Sequence, residues 1–463
     1  MNVVLISTYE LGRQPFGLAS PAAWLRRRGA TVACLDLSRE PFREDIIRAA
    51  DLVAFYVPMH TATRLAAQLI EPVRAANPRA HLCFYGLYAP VNEPYLRSLG
   101  AQTILGGEFE EGLVHLFERL SAPENSEAQA EPVVSVARQQ FLVPDRAGLP
   151  PLKQYAHLIM PDGQHRTVGY TEASRGCKHL CRHCPIVPVY NGAFRVVQRD
   201  VVLEDIRRQV AAGAQHITFG DPDFFNGVGH GLAIVEALHS EHPHLTYDVT
   251  IKIEHLLKHS VRLRTLRETR CLFVTSAVES VDDAILARLD KGHTRADFLA
   301  VVELFRECGL VLHPTFVPFT PWTTLPAYLE LLALLSEHGL VQNVAPIQLG
   351  IRLLVPAGSR LLELSDVRAL VEPFDASALV YPWRHPDQRV DALCDEVQDL
   401  VRVGDKLGRT REQHFARIWQ AASAALRDVG QPAHALLYEE ALPPQPVLVA
   451  RAAIPYLNEP WYC

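Results

Sequence analysis

Three cysteines fall within eight residues in the stretch Glu172-Ala173-Ser174-Arg175-Gly176-Cys177-Lys178-His179-Leu180-Cys181-Arg182-His183-Cys184-Pro185. Thiolates so close together on one curling backbone suit a cubane [4Fe–4S] cluster, whose iron corners lie only ångströms apart. Three ligands leave one iron open, and an open iron can chelate a small molecule rather than only carry electrons. Zinc is a second reading, with His179 or His183 as the fourth ligand. Structural zinc sites usually pair two cysteine knuckles well apart in sequence, and the chain has no second knuckle. Three unrelated core cysteines form the third reading. The flanking Lys178, Arg182 and two histidines argue against it.

The elements that must position this cluster are legible as alternation. The chain has 463 residues, 48% hydrophobic and 21% charged, which suits about three domains with a large core. Val3–Ser7, Thr31–Leu37, Ala54–Val57, His81–Tyr85 and the run from Ile104 read as strands separated by helix-like sequence. That pattern predicts a Rossmann-like parallel sheet over residues 1–120. Residues 121–165 lose periodicity and carry several prolines, so they read as linker and connector. Alternation restarts at 166. Val168–Glu172, His216–Gly220, Tyr247–Ile253, Leu272–Ala277, Val311–Phe316 and Ala345–Leu349 predict a partial or full (β/α) barrel over 166–362. Residues 363–463 read as a mainly helical C-terminal extension. The fold class is therefore α/β, with the cysteine loop at the C-terminal end of the first barrel strand, where such barrels do their chemistry.

Composition excludes several functions. The formal net charge is −7 with no long basic run, so nucleic acid is not an expected partner. No apolar run is long enough to span a bilayer, so no membrane is expected. The first residues lack signal-peptide features, and a cytoplasmic location is expected. Nine cysteines in such a protein are not expected to form disulfides. Cys34, Cys83, Cys271, Cys308 and Cys394 have no partners at metal spacing and read as small core residues.

The spacing Cys-x3-Cys-x2-Cys after a first barrel strand resembles the signature of the radical S-adenosylmethionine (SAM) superfamily. The resemblance implies a [4Fe–4S] cluster on Cys177, Cys181 and Cys184. It implies SAM bound through the open iron and cleaved by one electron to a 5′-deoxyadenosyl radical. It also implies a flavodoxin- or ferredoxin-type electron donor and a small-molecule substrate. The family places an aromatic residue before the last cysteine, near adenine, and His183 stands there; otherwise His183 is an exposed loop residue. Asp221 or Asp223 would hold the SAM ammonium, or else make an Asp-Pro turn that caps the next helix. Glu279 would hold ribose hydroxyls or the amine, or else sit favourably at a helix N-terminus. Lys252 would neutralise the SAM carboxylate, or be an edge residue. Gly350 would let backbone approach adenine.

The front region, from Phe16-Gly17-Leu18 to Ala30 and again at Gly106-Gly107-Glu108, is similar to cobalamin-binding domains that precede radical SAM barrels. Cobalamin is thus a candidate cofactor, although the lower-ligand motif Asp-x-His-x-x-Gly is absent from the expected loops. The ending Asn458-Glu459-Pro460-Trp461-Tyr462-Cys463 resembles tails that continue Cys-Sec-Ala-Glu-Pro or Cys-Cys-Ala-Glu-Pro. That implies a selenoprotein read through UGA and a catalytic role for Cys463, including chemistry related to aminocarboxypropyl transfer to arsenic. The reactions implied are methyl transfer, 3-amino-3-carboxypropyl transfer or related radical chemistry. The reading from another class is a non-catalytic Fe–S or zinc protein, such as a cluster carrier or redox sensor.

Overall fold

The carboxyl ends of two parallel sheets face each other, and loops from both meet between them. The computed structural model describes residues 1–122, 130–427 and 452–459. The front sheet contains β1 (Asn2–Ser7), β2 (Thr31–Asp36), β3 (Leu52–Tyr56), β4 (His81–Tyr85), β5 (Thr103–Gly107) and β6 (Val134–Ser135). All pair in parallel, in the order β2-β1-β3-β4-β5-β6. Both faces are covered, so these strands are continuously apolar rather than half polar. Along β1, Val3 and Leu5 enter one core with Leu18 and Leu113, while Val4 and Ile6 enter the other with Phe55 and Phe84.

The second sheet contains β7 (His157–Ile159), β8 (His165–Thr171), β11 (Cα ladder His216–Phe219), β12 (Thr246–Thr250), β13 (Cys271–Glu279), β14 (Val311–Phe316) and β15 (Tyr456–Leu457). A separate short hairpin, β9 (Ser174–Gly176) with β10 (Phe194–Val196), brackets the cysteine loop. The sheet order is β14-β13-β12-β11-β8-β7-β15, with β7 and β15 antiparallel at one edge. The five parallel strands from β8 to β14 curl into a half-barrel, because β14 does not pair with the opposite edge. The strand expected at Ala345–Leu349 is instead a 3-10 turn, Pro346–Leu349. Pro346 has no N–H for a ladder, and the apolar run around it is too short to override that. Helices Gln388–Lys406 and Arg411–Arg427 form the C-terminal extension and share the half-barrel core through Val397, Ile418 and Trp419.

A buried charge cluster clamps the two sheets together. Arg175 donates to both oxygens of Glu110, at 2.7 and 2.9 Å, and to Glu172 at 2.7 Å. It lies 3.4 Å from Glu108, whose other oxygen accepts from the Tyr190 hydroxyl at 3.1 Å. Ser20 and Gln139 complete the shell on Glu110. Burial alone would raise the Glu110 pKa, but Arg175 holds it below the usual range. Glu108, with the weaker share of that guanidinium, is pushed up to about 7 by burial. Phe16, Phe109 and Phe141 stand around the guanidinium at 5.0–5.7 Å. These contacts exclude water and strengthen the pairing.

Removing Arg175 strands two buried carboxylates. Arg175→Met is expected to lower stability by about 3–5 kcal/mol, measured by urea denaturation. Arg175→Lys keeps the charge but loses the two-pronged geometry, so an intermediate loss is expected. Wild-type stability in Arg175→Met would contradict the clamp.

Candidate functional site

The cysteine loop leaves β9 through Gly176, whose φ is +73°. A Cβ there would stand 2.4 Å from the Tyr190 ring and 2.5 Å from the Ala193 carbonyl, so only glycine permits the turn. The loop is then pinned on each side. Asn226 accepts from the Lys178 N–H at 3.2 Å, and the Arg182 N–H donates to the Leu289 carbonyl at 2.9 Å. Arg360 donates to the Leu180 carbonyl at 2.9 Å.

Cys181 is buried, and Cys177 and Cys184 are partly buried. Burial first, with the charges of Cys181 and Cys177 adding to it, pushes the Cys184 thiol up to about 12. Cys177 is raised by burial too, with Asp223 and Cys181 adding to the rise. A bound cationic metal centre would favour the thiolate forms of Cys177 and Cys184 against this burial. That donor chemistry fits an iron–sulfur cluster.

The strand ends opposite supply two carboxylate stations. Glu279 closes β13 in the left-handed region, with φ +69°, at a shift in register against β14. A non-glycine residue is uncommon there. One of its oxygens lies 3.1 Å from His183 Nε2 and 3.3 Å from Lys291 Nζ. Burial would raise its pKa, but Lys291 and His183 lower it to about 2. The following helix begins at Asp283 and is capped by Asp282, so Glu279 is not a helix-start residue.

Asp223 is the second station. One oxygen accepts from the Phe225 N–H, as in a turn cap, and the other lies 2.6 Å from His255 Nδ1 and 3.4 Å from His179 Nε2. Asp221 does different work. Its oxygens accept from the Ala173 N–H at 2.9 Å and the Ser174 hydroxyl at 2.5 Å, tying β11 to the turn before the cysteines. Burial raises its pKa to about 7. Each oxygen thus bonds to the stretch just before the cysteines.

Lys252 is buried beyond the end of β12, 3.7 Å from Glu254. Two groups absent from the sequence reading join it, Lys291 and His293. Burial, with Lys291 and Lys252 nearby, lowers His293 to about 4. The available signal was Lys291-Gly292-His293 just past a helix, with Gly292 at φ +72°. Gly350 makes its close approach elsewhere. A Cβ there would meet Gln398 and Val397 at 3.3–3.4 Å, so it admits the C-terminal helix. Cys463 lies outside the described residues.

Cys177, His179 and Asp223 place donor atoms within 4.8 Å of one another, a set that could hold a metal ion. That set leaves Cys181 and Cys184 without a role, whereas a cluster uses all three thiols.

Between the sheets lies a cavity of about 180 Å³, walled by Glu10, Tyr56, Phe109, Tyr170, Glu172 and Tyr190 among others. It sits beside the front sheet's switch point between β1 and β3, where such sheets bind ligands. Its volume is near the ~150 Å³ that admits benzene and below the ~300–1,000 Å³ of drug-sized pockets. A corrin is larger than either. Tyr56 fills the floor, lying 2.2 Å from where a Cβ on Gly17 would stand. That enclosed volume alone is too small for a corrin.

Residues 171–336 match the family model described as "Radical SAM superfamily", and the chain carries that domain. It is 25% identical over 332 residues to a hopanoid C-3 methylase of Methylococcus capsulatus, covering 67% of this chain and 62% of that protein. It is 24% identical over 177 residues to the ribosomal protein uS12 methylthiotransferase RimO of Syntrophotalea carbinolica, covering 36% of this chain and 39% of the relative. The chain thus spans less than two thirds of either relative. Among solved structures it resembles the cobalamin-dependent SAM radical enzyme OxsB with aqua-cobalamin and SAM bound. The TM-score is 0.70 at 13% identity, over 94% of this chain and 71% of that one. It also resembles the radical SAM methyltransferase TsrM from Kitasatospora setae with tryptophan substrate and a SAM analog, with TM-score 0.60 at 15% identity over 80% and 76%. These likenesses bear out the fold: a cobalamin-binding-like front domain ahead of a radical SAM half-barrel. The family implies a [4Fe–4S] cluster and SAM. Among the described residues no helix is long and apolar enough to cross a membrane.

The Glu279 ion pairs stabilise the fold above pH 4.5, and that contribution is lost as pH falls towards 2. Lys291→Met is therefore expected to cost about 3 kcal/mol at neutral pH, with the difference from wild type narrowing below pH 4. Denaturation midpoints across pH 2–7 check this. A deficit that does not depend on pH would show that the pair does not set the Glu279 pKa.

Proposed function

We propose, from the premise that residues 171–336 form a radical SAM domain, that the chain is an enzyme that reductively cleaves SAM to modify a small molecule. Cys177, Cys181 and Cys184 hold the cluster, and a flavodoxin- or ferredoxin-type protein supplies the electron. When bound, the cluster and SAM supply one-electron cleavage of a carbon–sulfur bond. The observation that carries this reading is three cysteines within eight residues on one pinned loop, beside strand ends that present Asp223 and Glu279.

This chain's residues bind, orient and exclude. His183, steadied by Glu279, offers an aromatic face beside the last cysteine. Asp223 and Glu279 supply the acceptor oxygens that an ammonium or ribose hydroxyls require. Lys252 and Lys291 supply positive charge for a carboxylate. The front domain, clamped through Arg175, covers the barrel mouth and keeps water from a reactive species.

The reaction is transferase-type, with methyl or 3-amino-3-carboxypropyl transfer as the two outcomes. The names of the relatives favour transfer of a methyl or methylthio group. The small interdomain cavity favours a route without a corrin. The set Cys177, His179 and Asp223 supports a second reading, a non-catalytic metal protein.

Anaerobic reconstitution with iron and sulfide decides between them. About four irons per chain and release of a SAM fragment on dithionite reduction are expected. Cys177→Ala, Cys181→Ala and Cys184→Ala should each lower fragment release at least 100-fold. Methylthioadenosine identifies aminocarboxypropyl transfer, and S-adenosylhomocysteine identifies methyl transfer. Protein that takes up zinc but no iron, with Cys181→Ala binding it equally, favours the second reading.

A further inference from the structure

The interdomain cavity has a chemistry of its own. Its front wall comes from the loops after β1 and β3, the switch point, through Glu10, Arg13 and Tyr56. The opposite wall comes from the half-barrel through Tyr170, Glu172 and Gly176. Gly176 adjoins Cys177, so the cavity lies directly behind the cysteine loop.

Its charges do not balance. Arg175 is shared by Glu108, Glu110 and Glu172. Arg13 is held by Glu459, 3.0 Å from its Nε. Glu10 is only 7% exposed, and its Oε2 has no hydrogen-bond partner. Two guanidiniums and five carboxyl groups thus share this region, and among the described residues Glu10 forms no ion pair with either guanidinium. Burial, reinforced by Glu172, raises the Glu10 pKa, and the nearby charges of Arg13 and Arg146 only partly offset the rise. The remaining lining is aromatic, with Tyr56, Phe109, Tyr170 and Tyr190 around the same space.

A carboxyl group among aromatic rings is a cation site, since ring faces and carboxylate both attract positive charge. An anion would meet Glu10 and Glu172 with no free guanidinium. A neutral alcohol would satisfy Glu10 without gaining from the acidic excess. The volume admits a compound near the size of benzene.

We propose that this cavity binds a small compound carrying an ammonium group, with its nitrogen on Glu10 and its carbon skeleton against the aromatic rings. As a statement of substrate class this rests on the enzyme reading above; as a binding site it does not.

Saturation-transfer NMR on the full chain tests the site with three probes of equal chain length: n-butylammonium, n-butanol and butyrate. Saturable n-butylammonium binding is expected, with butanol and butyrate about tenfold weaker or more. Glu10→Gln should weaken n-butylammonium about tenfold while retaining the wild-type circular dichroism spectrum. Tyr56→Leu provides a second variant should Glu10→Gln fail to fold, and a severalfold loss is expected. Equal binding of the three probes overturns the proposal. So does a folded Glu10→Gln, or failing that a folded Tyr56→Leu, with wild-type affinity, and so does stoichiometric uptake of hydroxocobalamin. Protein that binds the amine yet releases no SAM fragment overturns the enzyme reading and supports the site. Protein that cleaves SAM but prefers butyrate overturns the site alone.

Discussion

Arg175 is the interaction on which the rest of this structure depends. It stands two residues before Cys177, in the short strand that launches the cysteine loop. Its guanidinium is spent on Glu108 and Glu110 of the front domain and on Glu172 of its own strand–loop junction. One buried group therefore fixes the loop and docks the front sheet over the half-barrel. Separating these domains would expose or strand three acids and one base that burial has already made dependent on one another.

That docking sets the chemistry available. The carboxyl ends of the two sheets converge, so ligand-binding loops from both contribute to one space. On the half-barrel side, the polar groups form two compact stations, His183–Glu279–Lys291 and His179–Asp223–His255. On the front side, aromatic rings and an unpartnered acid narrow the switch-point crevice. Architecture follows from strand order, but occupancy follows from which side chains fill the gap.

Much of this was legible in sequence, and the limits have physical causes. The cysteine loop could be read because its ligands are local: all three thiols come from one turn of backbone. The parallel strands could be read because burial on both faces makes them continuous apolar runs such as Leu52–Tyr56. The run Ala345–Leu349 has the same apolar character, yet Pro346 turns it into a 3-10 segment and the barrel stays half open. Asp223 and Glu279 could be singled out by their position after strands, but their partners could not. Lys291 lies 12 residues from Glu279, and Arg175 lies 65 from Glu110. Pairings at such separations depend on tertiary packing, which no spacing rule encodes. The partners of Asp221, Ala173 and Ser174, are likewise 48 and 47 residues away.

The central claim is that a three-cysteine loop leaves one iron free to bind SAM. The most direct measurement is electron–nuclear double resonance on the dithionite-reduced, reconstituted protein with SAM labelled in its methionyl carboxylate and amine. The account predicts hyperfine coupling of both labelled groups to the cluster, and a change in its EPR spectrum when SAM is added. A spectrum unaltered by SAM, with no coupling to either label, would contradict it.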